Sequence, residues 1–159
     1  MSSGMSTTRK AGLGAFFGII AGLVMGGIGY LLPIPMMMDN PPFFINAMEM
    51  WSVSSPVATG WVLLIFTSAV IGAIFGLLTT KVAILNVKTP ARAVLVGVIA
   101  GAVIWLVLFL PVEIPPMPGL FSMGNFLVES LGYNIVFGLV LAMLMWTASG
   151  RGTKPAPPS

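Results

Sequence analysis

Four long apolar stretches alternate with short polar segments, and this alternation is the strongest pattern along the chain. A helix that crosses a bilayer needs about 20 predominantly apolar residues, and each stretch reaches that length. The pattern predicts an all-α integral membrane protein with a single four-helix transmembrane domain over residues 1–150. The predicted spans cover residues 11–32, 57–80, 91–110 and 126–148.

Proline and hydroxyl residues mark the predicted ends of these spans. The steps Ser55-Pro56 and Thr89-Pro90 each combine a helix-capping hydroxyl with proline at the first helical position, where proline is favoured. Pro111 is expected to end the third span, because proline inside a helix lacks a donor and clashes with the preceding turn.

Two segments outside the spans also carry a pattern. Residues 41–52 place apolar side chains at helical spacing, which predicts an amphipathic helix in the membrane interface. Residues 151–159 are rich in proline and polar residues and are predicted to form a cytoplasmic tail.

The two halves of the domain resemble each other. Residues 18–22 (GIIAG) match residues 97–101 (GVIAG), and residues 72–77 (GAIFGL) match 134–139 (NIVFGL) more weakly. The resemblance predicts two tandem helical hairpins in parallel orientation, related by a pseudo-two-fold axis along the membrane normal. Chance similarity between apolar stretches is the alternative.

Small residues recur at every fourth position within the spans. In lipid, such residues let helix backbones approach closely, so this spacing predicts a close-packed, glycine-seamed bundle. The predicted helix-packing residues are Gly14, Gly18, Gly22, Gly26, Ser68, Gly72, Gly76, Gly97, Gly101 and Gly138.

Composition and charge agree with a membrane location. Of the 159 residues, 57% are hydrophobic and 7% charged, whereas a soluble domain carries about 25% charged residues. All seven Lys and Arg residues fall on one side of the predicted spans and all four acids on the other. The positive-inside rule then places both termini in the cytoplasm, with the domain integral to the plasma membrane. This placement explains the basic charge without a nucleic-acid partner.

The residue inventory excludes several kinds of chemistry. The chain has no cysteine and no histidine, so it holds no disulfide, thiolate or imidazole metal site, and no haem ligated by either residue. The usual pairs of nucleophile and base are missing as well. We expect a protein that is not an enzyme and binds no cofactor.

Two polar residues of the fourth span are candidates for an intramembrane site. An ionisable group within a membrane span is costly, so a functional role is the first hypothesis for it. Glu129 could be such a site, or an acid favoured by the helix dipole at an N-terminus. Asn134 could hydrogen-bond to Ser68 or to a partner helix, which favours a structural role.

Methionine is abundant, with 12 residues in the chain. Thioethers suit Cu(I), so the outer methionines could bind copper; adaptable packing against lipid or a partner is the favoured alternative. The candidate copper ligands are Met36, Met37, Met38, Met48, Met50, Met117 and Met123.

The stretches GLGAFFGIIAG (12–22) and VGVIAGAVIWLVLFLP (96–111) resemble YagU-type bacterial inner-membrane proteins. The resemblance implies a four-span membrane protein of poorly defined role and carries over no catalytic residues. The chain lacks the longer polar extracellular insert of such proteins.

These patterns together favour a non-catalytic accessory subunit of a larger integral membrane complex, such as a respiratory or metal-dependent oxidoreductase. Its expected partners are the lipid bilayer and other integral membrane subunits. Two alternatives stay open: a small homo-oligomeric transporter or channel, and a protein that handles Cu(I) at the outer surface.

Overall fold

The structure is a computed structural model that describes residues 6–31, 52, 54–82, 85–113 and 124–150. Its helices are α1 (Thr7–Leu31), α2 (Pro56–Lys81), α3 (Pro90–Ile104), a π-helical turn (Trp105–Phe109), α4 (Leu110–Glu113) and α5 (Gly124–Gly150). The predicted helix over 41–52, apart from Ser52, and the predicted tail over 151–159 lie outside these residues.

Four helical segments are long and apolar enough to cross a membrane, as the hydropathy pattern predicts. They are Thr7–Gly29, Pro56–Thr79, Pro90–Phe109 and Leu127–Ser149. Each agrees with its predicted span to within about one helical turn. The described chain is therefore an all-helical membrane protein with four candidate spans.

The two Xaa-Pro steps begin helices where expected, but only one uses its hydroxyl as a cap. Thr89 Oγ1 accepts a hydrogen bond of 3.3 Å from the backbone N–H of Arg92. Ser55 precedes α2 without a side-chain capping bond. Proline therefore marks the first position of α2 without a capping hydrogen bond from the Ser55 hydroxyl.

The third candidate span ends at Phe109, just before Pro111 as predicted, but Pro111 does not end the helix itself. The helix continues through Pro111 to Glu113, because the turn before it widens into a π-helical turn. There the backbone N–H of Leu110 donates to Trp105 O, five residues back. We infer that the wider turn accommodates the proline, which cannot donate to the preceding turn.

The long helices pack in the order α2–α1–α5–α3. The most extensive contacts join α1 to α2 and α3 to α5, and a smaller contact joins α1 to α5. In the described residues α2 and α3 make no comparable approach, so they form the two edges of the arrangement. Each neighbouring pair runs antiparallel, and the described basic residues lie at one end of the helices.

This order departs from the expected pseudo-two-fold relation. A two-fold axis that exchanges the hairpins would turn the α1–α5 contact into an equally extensive contact between α2 and α3. The described helices have the first contact without the second. The hairpins therefore meet chiefly along one pair of helices, α1 and α5.

The buried core draws on all four long helices, with the largest share from α5, and it lies towards the end where the basic residues are. It includes Val87 from the connection between α2 and α3, which is only 3% exposed, with Leu85 packed beside it. The buried apolar residues are Ala21, Phe75, Val87, Ala93, Val96, Phe137, Leu141, Ala142 and Met145.

The exposed apolar surface belongs mostly to the two edge helices. Side chains such as Phe66 on α2 (65% exposed) and Leu95 on α3 (60%) point away from the core. By contrast, Val128 is the one large apolar side chain of α5 that is exposed within its described residues. The edge helices thus present most of the surface that lipid or a partner covers.

Candidate functional site

The contact between α1 and α2 is made by backbone atoms at glycine. A Cβ atom added at Gly14 would overlap the carbonyl oxygen of Gly72, and one at Gly18 would overlap the carbonyl oxygen of Ser68. A Cβ at Gly72 would lie 2.8 Å from the Cα of Gly18. No side chain fits between the helices at these positions.

The remaining predicted glycines of this contact have different neighbours. A Cβ at Gly76 would overlap the backbone oxygen of Lys10, whereas one at Gly22 would overlap the side chain of Ser68. At Gly26 the neighbour is the ring of Trp61, 2.8 Å away. A side chain such as Trp61 can move aside, whereas the backbone of Lys10 cannot. Backbone contact therefore excludes a larger residue at Gly76 but not at Gly26.

The contact between α3 and α5 repeats this kind of packing. A Cβ at Gly97 would lie 2.8 Å from Gly138 O, and one at Gly101 would lie 2.6 Å from the Cα of Ile135. One turn beyond Gly101, at the start of the π-helical turn, the indole Nε1 of Trp105 donates to Ser130 Oγ at 2.9 Å. Glycine contacts and a hydrogen bond therefore follow one another at four-residue steps.

The two hairpins use this packing in different registers. Gly18 approaches the carbonyl of Ser68, while its sequence counterpart Gly97 approaches that of Gly138. The sequence match places Gly138 opposite Gly76, eight residues from Ser68, or about two turns. The predicted duplication stays a prediction. The register in which the second helix of each hairpin packs against the first does not follow the alignment of the two halves.

A group of polar side chains lies near the start of the fourth span, and we call it the α5 polar cluster: Trp105, Glu129, Ser130, Tyr133 and Asn134. Ser130 Oγ accepts from Trp105 and donates to Leu127 O at 3.1 Å. The buried Asn134 Nδ2 donates to Ser130 O at 2.9 Å. The cluster joins α5 to the π-helical turn.

Asn134 and Glu129 differ in how well they are satisfied. Asn134 bonds within its own helix instead of to Ser68, and its backbone carbonyl faces Gly101. Glu129 interacts electrostatically with Tyr133, but its buried Oε2 has no hydrogen-bond partner. A buried acceptor without a partner costs stability. Among the predicted site residues that the structure describes, Glu129 is the one with a buried polar atom that has no hydrogen-bond partner.

Sequence reasoning missed Trp105 and Ser130. The available signal was chemical, because an indole N–H within an apolar span needs an acceptor. The seven candidate copper ligands, Met36 to Met38, Met48, Met50, Met117 and Met123, lie outside the described residues. Within the described part of the chain, no group of three or more His, Cys, Asp or Glu residues could hold a metal ion.

Comparison with protein-family models, curated proteins and solved structures finds no match to this chain.

We predict that Gly138→Ala destabilises the protein, whereas Gly132→Ala does not. The new methyl at 138 meets backbone atoms of Gly97 and Gly101, while at 132 it meets open space. Overpacking of this kind costs about 1–3 kcal/mol, and replacing an unconstrained helical glycine gains up to about 1 kcal/mol. Tryptophan fluorescence during unfolding in mixed micelles measures the free energy of unfolding of both variants. Equal effects would contradict the close backbone contact.

We predict that Ser130→Ala costs about 1–3 kcal/mol of unfolding free energy, because it leaves the indole N–H of Trp105 without its acceptor. Thr147→Ala is the control, since the exposed Thr147 hydroxyl bonds only to Leu144 O in its own helix. In the Trp105→Phe background the effect of Ser130→Ala should shrink. An unchanged effect there would show that the two side chains are not coupled.

Proposed function

We propose that the protein is a non-catalytic structural subunit of a larger integral membrane assembly. The observation that carries this proposal is the apolar outer face of both edge helices. On α2 and α3 the exposed large side chains are Val57, Val62, Leu63, Phe66, Val70, Ile74, Leu78, Val94, Leu95, Ile99 and Val103. Such faces suit contact with lipid and with the helices of neighbouring subunits.

The contacts between the paired helices support the same proposal, because backbone atoms lie there rather than groups that bind or react. Backbone contacts at Gly18 and Gly97 leave no room between the paired helices. We interpret the chain as a glycine-seamed bundle of two tandem hairpins, which serves as a compact spacer between partners. The host assembly in this proposal is an oxidoreductase of the respiratory or metal-dependent kind.

The orientation is also part of the proposal. The described basic residues, among them Lys10, Lys81 and Arg92, lie at one end of the helices. By the positive-inside rule this end faces the cytoplasm, so both termini do so too in the plasma membrane.

We predict that gentle-detergent purification from native membranes yields the protein together with other integral membrane subunits in a fixed ratio. Native mass spectrometry of the intact assembly measures that ratio, and metal analysis of the same sample tests for an oxidoreductase host. Recovery of this chain without any other membrane protein, in several mild detergents, would contradict the proposal.

A second candidate is a small homo-oligomeric transporter or channel. One observation favours it: the buried Oε2 of Glu129 has no partner, and intramembrane carboxylates commonly mark ion pathways. In this candidate, such a pathway would begin at the α5 polar cluster.

For this second candidate we predict cation flux into proteoliposomes that Glu129→Gln abolishes. Glu113→Gln is the matched control, because it removes an equal charge from an acid that follows the third span. Flux that survives Glu129→Gln, or that both variants reduce equally, would contradict a pathway through Glu129.

A further inference from the structure

The exposed apolar face of α2 ends in a lysine at the basic end of the helices. Leu78, Ile74 and Val70 lie three, seven and eleven residues before Lys81, and we call these three residues the α2 stripe. Residues at this spacing share one face of a helix. All four side chains are exposed, so one open face carries a cation followed by apolar side chains.

The same arrangement recurs on the other edge, although α3 runs in the opposite direction. Leu95, Ile99 and Val103 lie three, seven and eleven residues after Arg92, and we call them the α3 stripe. These apolar side chains are between 48% and 60% exposed, and Arg92 is partly exposed. On each edge the face that begins at the cation therefore extends over eleven residues, or about 16 Å of helix.

These dimensions match one leaflet of a bilayer. The hydrocarbon layer is about 30 Å thick, so one leaflet contributes about 15 Å. The candidate spans end at Thr79 on α2 and begin at Pro90 on α3, each two residues from its cation. Lys81 and Arg92 thus lie at the level of the lipid headgroups. A cation at this level, with an apolar stripe one leaflet long, is complementary to the phosphate and acyl chains of a phospholipid.

No described carboxylate neutralises this end of the helices. The described acids are Glu113 and Glu129, and both lie towards the opposite end. The helix dipole favours Lys81 at the end of α2 but disfavours Arg92 in the first turn of α3. The dipole therefore cannot account for both placements, whereas an anion at the headgroup level stabilises both.

We propose that the outer faces of α2 and α3 each bind an anionic phospholipid, with its phosphate at Lys81 or Arg92 and an acyl chain along the stripe of that helix. Charge complementarity selects an anionic headgroup over a zwitterionic one, since juxtamembrane cations attract anionic lipids. The inference rests on the proposed function, because it names the class of lipid that covers part of the exposed edges.

Fluorescence quenching by brominated lipids tests this binding, and the chain has no native cysteine to interfere with labelling. A bimane fluorophore is attached to full-length Ile74→Cys, within the α2 stripe. The protein is reconstituted in phosphatidylcholine vesicles with a small fraction of acyl-brominated phosphatidylglycerol or acyl-brominated phosphatidylcholine. We expect several-fold stronger quenching by the brominated phosphatidylglycerol, and a smaller difference at high salt.

Two charge variants and one label position serve as controls. Adding Lys81→Gln to the labelled chain should abolish the preference for phosphatidylglycerol, whereas Lys81→Arg should keep it. Lys88→Gln is the matched control, because it removes an equal charge from an exposed residue of the connection at the same end. The label at Leu63→Cys, exposed on the same face but in the other leaflet, should show no preference.

The α3 edge is tested in the same way with Ile99→Cys, alone and combined with Arg92→Gln. Equal quenching by the two brominated lipids at Ile74 and at Ile99 would overturn the inference. So would a preference that Lys88→Gln lowers as much as Lys81→Gln does, since the basic end as a whole, and not Lys81, would then attract the lipid.

The vesicle experiment uses this chain alone, so its result is separate from the test of the proposed function. Equal quenching by both lipids overturns the lipid inference and leaves the structural-subunit proposal standing. Recovery of the chain from native membranes without other subunits overturns that proposal, and the lipid preference measured in vesicles is unaffected by it.

Discussion

Backbone contact at glycine is the constraint on which the rest of the structure depends. Where Gly14 and Gly18 face Gly72, and where Gly97 and Gly101 face α5, the helices approach so closely that even one methyl group has no room. The hydrophobic effect does not drive helices together in lipid, so dispersion and weak Cα–H···O contacts must do so. These interactions fall off steeply with distance. The absence of a side chain at the glycines therefore matters more for helix association than the side chains that are present.

The helix order follows from where these contacts lie. Each strong contact occupies one side of α2 and one side of α3, and each of these helices leaves its opposite side exposed. The middle helices α1 and α5 meet each other as well, and α5 contributes Leu141 and Phe137 to the core. The connection between α2 and α3 then has to link opposite edges, and its buried Val87 closes the core at the basic end. The helix order and the exposed edges are consequences of these glycine contacts.

The sequence predicted the elements better than their arrangement. Hydropathy located all four spans, because length and apolar composition are properties of each segment alone. Spacing pointed to Gly14, Gly18 and Gly97, but all four spans carry small residues, so spacing could not tell which helices pair or in what register. Pro111 was predicted to end the helix, since no local sequence pattern indicates that a π-helical turn will accommodate the proline. Glu129 was singled out as a candidate site because it is an acid within a span, whereas its unpartnered oxygen depends on packing that no sequence pattern encodes.

The distance between the two edge helices tests this account most directly. Spin labels at Val70→Cys on α2 and Leu95→Cys on α3, in labelled protein diluted with unlabelled chain, report the separation within one copy by pulsed electron paramagnetic resonance. The order α2–α1–α5–α3 predicts that this distance is the longest among the pairs of long helices. A closed bundle would instead bring α2 and α3 to the spacing of packed neighbours, about 8–10 Å between axes, and that result would contradict the account.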